Sequence, residues 1–206
     1  MSDIKECKTC NFAYVPDLPE DVKIHRKRHD ESVNGIKAPA RKNDNTLWSK
    51  NQYRITIANQ LSPKYQRVRA EKVARLGNRE TRYDFPPYTA DEPFDDKIVH
   101  LFVLFHRSRA VGILVLSRRE DIWGGKWEDI EQRKVQKLEK HVPLWTVDFI
   151  WVLKKHRGYK LAKKLIKTAA NHFEFEVENI GWYPPFSNGG KFLSKSICPN
   201  YIYIAR

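Results

Sequence analysis

The sequence predicts a mixed α+β domain with a small metal-held module at its N-terminus. Three observations predict it. Two apolar runs, 98–105 and 110–116, flank the polar stretch His106-Arg107-Ser108-Arg109 and read as an antiparallel hairpin. A run rich in β-branched and aromatic residues, 144–153, passes through a basic turn into a helical pattern over 161–172. Near the N-terminus, Cys7-x2-Cys10 is followed by His25-x3-His29.

The remaining elements follow in chain order. Residues 1–47 show no long apolar periodicity, so they form a finger and a polar tail rather than a large core, and 48–206 form the main domain. Pro63 opens a helix over 64–76 whose shared face is Tyr65, Val68, Lys72 and Leu76. Pro86-Pro87 and Pro93 mark loop. Gly112 in the second hairpin strand permits a close backbone approach. Gly124-Gly125 marks another loop, and 127–139 can form an amphipathic helix through Ile130, Val135 and Leu138. The stripe Leu161, Leu165, Thr168 and Ala169 is the buried face of the helix after the basic turn. Residues 189–195 are a loop entering a helix, and 201–205 a terminal strand.

The chain of 206 residues has a formal net charge of +13, which points to a polyanionic partner: nucleic acid, a phosphate-rich cofactor or an acidic protein surface. No apolar run approaches the roughly 18–20 residues that cross a bilayer, and the first residues lack the apolar core of a secretory signal. A reducing compartment is expected, with the three cysteines as metal ligands or free thiols.

The C-x2-C and H-x3-H pair suits tetrahedral Zn²⁺. The cysteines flank a tight knuckle, and histidines four apart share one helix face. Cys7, Cys10, His25 and His29 are the expected ligands of a structural zinc that supplies folding energy to a module this short. One finger covers roughly three base pairs, so a structural, docking or non-specific DNA role is expected rather than sequence reading.

The basic turn carries the second motif. Nucleotide phosphates are commonly held by backbone N–H groups at a helix N-terminus. Arg157-Gly158-Tyr159-Lys160-Leu161-Ala162, between a strand and a helix, resembles the R/Q-x-x-G-x-G/A turn of GNAT acyl-CoA N-acyltransferases, with Lys160 replacing the central Gly. Lys154, Lys155, Arg157, Lys160, Lys163, Lys164 and Lys167 lie together with no acid among them, a field suited to the phosphates of CoA. A solvated helix face or a nucleic-acid patch fits the same charges.

Three stretches together resemble one family, the Eco/ESCO sister-chromatid cohesion acetyltransferases. They are the finger with its Asn34-Gly35-Ile36-Lys37 tail, the segment Phe149-Ile150-Trp151-Val152 with the turn at 157–162, and Pro184-Pro185-Phe186-Ser187 with Gly190-Lys191-Phe192-Leu193-Ser194-Lys195 and Cys198. The resemblance covers about 5–43 and 98–206. It implies a GNAT fold, a mixed and splayed sheet with flanking helices, behind an N-terminal C2H2 zinc finger. It also implies transfer of acetyl from acetyl-CoA to a lysine on a chromatin-associated, cohesin-like protein, in the nucleus of a eukaryote or otherwise the cytoplasm. Asp148 stands where the family commonly carries Ser, Pro185 aligns where it places an acid, and no sliding-clamp motif is present.

The acetyl-CoA site is expected at Ile150, Trp151, Val152, Arg157, Gly158, Lys160, Ala162 and Lys163, the first three through backbone groups. Asp148, inside an apolar strand where burial would raise its basicity, is the candidate general base. His156 is expected to be exposed, Cys198 to serve packing rather than nucleophilic attack, and Trp182, Tyr183 and Phe186 to wall an acceptor site or to pack. Two other readings stay open. One is a nucleic-acid-binding zinc-finger protein on a catalytically degenerate GNAT scaffold, favoured by the basic stretch from Lys64 to Arg82. The other is transfer to a small amine, which would need a closed, acidic pocket.

Overall fold

A computed structural model describes residues 3–81, 88–91, 99–139 and 143–205. The loop expected at Pro86, Pro87 and Pro93, and Ile98 at the start of the hairpin, lie outside these residues.

The N-terminal module is a two-stranded ribbon, β1 (Lys5–Glu6) with β2 (Ala13–Tyr14), against the helix α1 (Pro19–Asn34). Pro19 opens the helix, where its missing N–H costs nothing, and Gly35 ends it at φ 84°. The tail then joins the main sheet as β3 (Ile36–Lys37).

The main sheet continues with β4 (Asn45–Lys50), β5 (Tyr53–Asn59), β6 (Val99–His106), β7 (Arg109–Arg119), β8 (Ile122–Gly125), β9 (Gln136–Lys137), β10 (Leu144–Val152), β11 (Gly181–Trp182) and β12 (Ile202–Ala205). Its spatial order is β4-β5-β6-β7-β10-β11-β12-β8-β9, with β3 on β7. The β10–β11 and β11–β12 pairs are parallel and the others antiparallel. The helices α2 (Lys64–Thr81), α3 (Trp127–Glu131), α4 (Leu161–Phe173) and α5 (Asn188–Lys195) complete the domain. The expected boundary between 47 and 48 falls inside β4.

The core lies where the sequence is most apolar. Leu101, Phe102, Leu104 and Phe105 of β6 and Ile113, Leu114 and Leu116 of β7 are fully buried, each worth about 1.5–3 kcal/mol of transfer from water. Burial on both faces explains why these strands do not alternate. Gly112 acts as expected: a Cβ there would lie 2.9 Å from the Trp151 carbonyl oxygen.

Three expectations are corrected, and one element was not foreseen. The buried face of α2 is Gln66, Arg69, Ala70, Val73, Ala74, Leu76 and Gly77, with Lys72 exposed and Tyr65 half-buried. Polar side chains take inside positions because they find partners: Arg69 pairs with Asp44 at 2.7 Å and Gln66 donates to the Asn43 carbonyl at 2.8 Å. Gly124-Gly125 is strand, not loop, since Gly124 packs directly under the Tyr201 ring. The helix over 127–139 stops at Glu131; Arg133 turns left-handed at φ 57°, and Leu138 N–H bonds the Ile122 carbonyl as β9 joins β8. The β4–β5 hairpin was not expected. Its turn is Asn51-Gln52, both left-handed, without the glycine that usually announces such a turn.

Candidate active site and metal centre

The metal centre is built by the ribbon and α1. The Cys7–Cys10 knuckle faces His25 and His29, one turn apart on the helix, and the four ligand atoms lie within 4.8 Å of one another. Cys7 Sγ is 3.3 Å from His29 Nδ1. The Cys7 thiol is lowered to about 5 by the backbone N–H of Cys10, then by His25, the Thr9 backbone and His29, which favours the thiolate that ligates metal. Burial pushes the Cys10 thiol up. His25 Nε2 is buried with no hydrogen-bond partner, an orphan that a metal bond would satisfy. Tyr14 stacks on the His25 ring at 4.0 Å and fixes its plane. Two thiols and two imidazoles at these separations fit Zn²⁺, and four protein ligands make the site structural rather than catalytic.

The candidate active site forms where β10 and β11 part. The two strands pair only at Thr146↔Gly181 and Val147↔Trp182, with Tyr183 N–H reaching the Val147 carbonyl at 3.0 Å. Beyond Val147 no β11 residue pairs with β10, so its edge from Ile150 to Val152 opens onto a cavity of about 820 Å³. Ile150, Trp151, Val152, Arg157, Gly158, Lys160, Ala162 and Lys163 all line it. Of the seven cations in the basic stretch, only Arg157, Lys160 and Lys163 do so.

The turn has the geometry that an anion site needs. Gly158 is at φ 88° and Lys160, at the N-cap of α4, sits left-handed at φ 58° and ψ 20°. Lys160 thus adopts at some strain the conformation a glycine would take freely. No side chain caps the first turn of α4. Arg157 is anchored twice: Nε donates to the Val152 carbonyl at 2.8 Å, and Nη2 donates to Glu80 Oε1 at 2.5 Å. The other oxygen of Glu80 accepts from the Trp151 indole at 3.0 Å. Glu80 therefore ties the end of α2 to both the strand and the turn. No sequence signal marked it, because the tie joins residues 71 and 77 positions apart.

A smaller cavity of about 80 Å³ adjoins the first, sharing Thr81, Ile150, Ser187 and Gly190. Asp148 lines it together with Trp182, Tyr183 and Phe186. Asp148 is the bulged residue of β10: the register with β7 shifts between Val147 and Phe149, which turns its side chain out of the apolar alternation. Arg119 Nε and Nη2 donate to Asp148 Oδ1 at 2.9 and 2.7 Å, and the Arg119 guanidinium lies 4.5 Å from the Tyr183 ring centroid. Asp148 is half of an ion pair rather than an isolated acid among apolar neighbours, and sequence reasoning missed Arg119.

Two further residues separate cleanly. His156 is buried, not exposed, and lines the larger cavity: the short 3-10 turn Lys154–His156 sets its Nδ1 2.9 Å from Tyr53 Oη, with the His106 ring centroid 5.0 Å away. Burial, then His106 and Lys155, hold it below the ordinary imidazole range. Cys198 is buried, its thiol pushed up by burial, and its carbonyl accepts from the Trp127 indole at 2.7 Å; it packs, as expected.

With this geometry in place, known proteins provide a measure. A family model described as the zinc-finger of acetyl-transferase ESCO matches residues 1–31. N-acetyltransferase ESCO2 of Danio rerio is 27% identical over 92% of this chain and 33% of its own length. N-acetyltransferase ECO1 of Eremothecium gossypii is 22% identical over 93% of this chain and 83% of its own. The solved xEco2 acetyltransferase domain, bound to a K105-CoA conjugate, superposes with a TM-score of 0.61 at 17% identity, covering 80% of this chain and 98% of that domain.

The chain resembles the Eco/ESCO acetyltransferases over both its parts. It spans about a third of the length of the ESCO2 relatives it matches. The fold is the α+β acetyltransferase fold expected from the sequence, with a C2H2-type finger before it. No helix among the described residues is long and apolar enough to cross a membrane.

Proposed function

We propose that the chain is an acetyl-CoA-dependent N-acetyltransferase that modifies a lysine on a chromatin-associated, cohesin-like protein in the nucleus. Residues 1–47 serve as zinc finger and docking tail, and 48–206 as the transfer domain. One observation carries the reading: the splayed edge of β10, the turn at 157–160 and the uncapped start of α4 share one cavity, adjoining a second that is lined by a carboxylate. The names of the relatives support it, as does the lysine–CoA conjugate bound by the structural neighbour.

In this reading Ile150, Trp151 and Val152 offer backbone groups to the pantetheine arm. Arg157, Lys160, Lys163 and the first N–H groups of α4 neutralise the phosphates. Acetyl-CoA, when bound, supplies an acyl carbon activated as a thioester. The lysine amine enters past Tyr183 and Phe186 and must be neutral to attack. Asp148 takes the proton it loses as the C–N bond forms, and the C–S bond breaks with release of CoA thiolate. Arg119 orients Asp148 from behind. The acceptor side presents a single ion-paired carboxylate rather than the closed acidic pocket a small amine needs, and an intact turn and cavity do not favour a degenerate scaffold.

Calorimetric titration of the purified protein with acetyl-CoA tests the reading, followed by mass spectrometry of lysines acetylated on purified cohesin. Saturable binding of one equivalent and a defined acetylated lysine are expected. No binding at millimolar cofactor would overturn it.

A further inference from the structure

The net charge of +13 is far from evenly spread. Three stretches, 45–70, 99–119 and 149–173, contain no aspartate or glutamate at all. The topology lays them side by side, as β4-β5, β6-β7 and β10 with α4. Lys50 stands opposite Tyr53 in the β4–β5 ladder, and Tyr53 stands opposite His106 in the next. Tyr53 Oη bonds His156 of the 3-10 turn, which brings in Lys154 and Lys155. Arg107 donates to Gln52 through both its backbone N–H and its Nε, at 2.8 and 2.7 Å. The tract continues along α4, where the Lys164 ammonium lies 5.3 Å over the Trp48 ring and Lys167 is exposed one turn on.

Unpaired cations elsewhere, such as Lys23 and Lys27 of α1, share their element with acids, and other cations are answered directly. Arg69 pairs with Asp44, Arg109 with Asp30, Arg119 with Asp148, and Lys191 and Lys195 with Glu131. On this face, among the described residues, Lys50, Arg107, Lys154, Lys155, Lys164 and Lys167 make no ion pair. Nor do they line the cofactor cavity. The cofactor phosphates therefore do not account for them.

We propose that this face, formed by the β4–β5 and β6–β7 turns, the 3-10 turn and α4, binds the phosphate backbone of duplex DNA without reading its sequence. A field of unpaired cations on turns and one helix suits a regular row of phosphates, where each neutralised phosphate releases a condensed counterion. Protein interfaces are centred on apolar or aromatic anchors. Here Trp48 is half-buried under Lys164, Leu18, Ile24 and Leu61 lie on other elements, and Tyr159, between the 3-10 turn and α4, is a single exposed aromatic ring among lysines rather than the centre of an apolar patch. Long, mobile lysines hold a backbone in place but do not discriminate base edges, so affinity without specificity follows.

The test is anisotropy of a short fluorescent duplex of arbitrary sequence, titrated with the full chain at several salt concentrations. Lys50→Gln, Lys154→Gln and Lys167→Gln are combined in one variant. A control variant combines Lys23→Gln, Lys27→Gln and Lys134→Gln, which removes the same charge elsewhere. We expect the first variant to weaken binding at least tenfold and to reduce the slope of log K against log salt by about two to three, near 0.9 for each phosphate left without its lysine. The control should stay within twofold. Equal weakening in both variants would reduce the effect to net charge and overturn the proposal, as would unchanged binding in both. Tighter binding of a polyglutamate peptide than of the duplex would overturn it in favour of an acidic protein. Acetyl-CoA affinity, measured on the same variants, should be unchanged, so this proposal and the acetyltransferase reading can fail separately.

Discussion

Asp148→Asn keeps the shape of the side chain and removes its charge, and its effects separate the possible roles of this residue. The carboxylate is 14% exposed and the Arg119 guanidinium 20%, with two N–H donors on Oδ1 at 2.9 and 2.7 Å. Losing charge-assisted hydrogen bonds in such a setting costs about 1.5–3 kcal/mol of stability, or roughly 3–10 °C in Tm for a chain of this size. If Asp148 also takes the proton from the acceptor, the rate should fall by about 10²-fold, near 2.7 kcal/mol in the barrier. Arg119→Met makes the contrast. It removes the same hydrogen bonds, so stability falls similarly, but it leaves a carboxylate able to accept a proton, so most of the rate should survive. Initial rates of CoA release with a lysine peptide, from pH 6.5 to 9.5, measure the first effect, and thermal unfolding the second. Raising the pH should partly restore Asp148→Asn, since hydroxide can then take the proton released as the C–N bond forms. Acetyl-CoA affinity should stay within twofold. A variant that loses stability yet turns over within threefold of the parent would refute the catalytic role and leave the ion pair as a brace between β7 and β10.

Cys10→Ala should reduce zinc from about one per chain to near none by metal analysis and unfold the finger by circular dichroism, because the module has little else to hold it. Arg157→Glu should weaken acetyl-CoA binding at least tenfold by calorimetry, placing a second carboxylate beside Glu80 where phosphates are expected. Unchanged affinity would put the phosphates elsewhere. Gly112→Ala, with its Cβ 2.9 Å from the Trp151 carbonyl oxygen, should push β10 outward, cost about 1–3 kcal/mol in urea denaturation and weaken cofactor binding. Burial, then His172, lowers His100 to about 4. The unfolded chain, at about 6.5, takes up a proton in that window and the folded chain does not. Stability should therefore be full above pH 6.5 and fall as the pH is lowered towards 4, and His100→Phe should flatten the decline.

What the sequence made legible was local. The metal ligands, the hairpin and the strand-turn-helix each announce themselves within a few residues, through ligand spacing, apolar runs and a basic turn. What it hid was pairing at a distance. Gln66 and Arg69 look like surface residues until Asn43 and Asp44 meet them, so the buried face of α2 lies elsewhere than periodicity places it. The alternation Arg54-Ile55-Thr56-Ile57 is a strand signal, but Asn51-Gln52 gives no glycine to mark the turn before it. The spacing of Ile130, Val135 and Leu138, five and then three, already fits a helix poorly, and a left-handed Arg133 resolves it into a turn and a strand. Glu80 and Arg119 touch the candidate site from elements whose own sequence carries no mark of it. His156 looks exposed because the turn around it is charged, although the ring itself is turned inward against Tyr53.

The tail after the finger helix has a mechanical consequence. β10 leaves β7 at the Val152↔Gly112 pair, and β3 takes up the same side of β7 at Ile36↔Ala110 and Lys37↔Arg109. Two segments distant in sequence are thus laid end to end against one strand. Arg109 clamps the junction through Asp30 and the Gly35 carbonyl, and Lys155 reaches Asn34 from the turn that β10 feeds. The finger is therefore not a tethered weight on a slack cord. It is the long arm of a lever whose fulcrum is the β3–β7 ladder, and its short end rests on the segment that leads into Arg157. Whatever holds the finger therefore also bears on that segment, through the β3–β7 ladder and the Lys155–Asn34 contact.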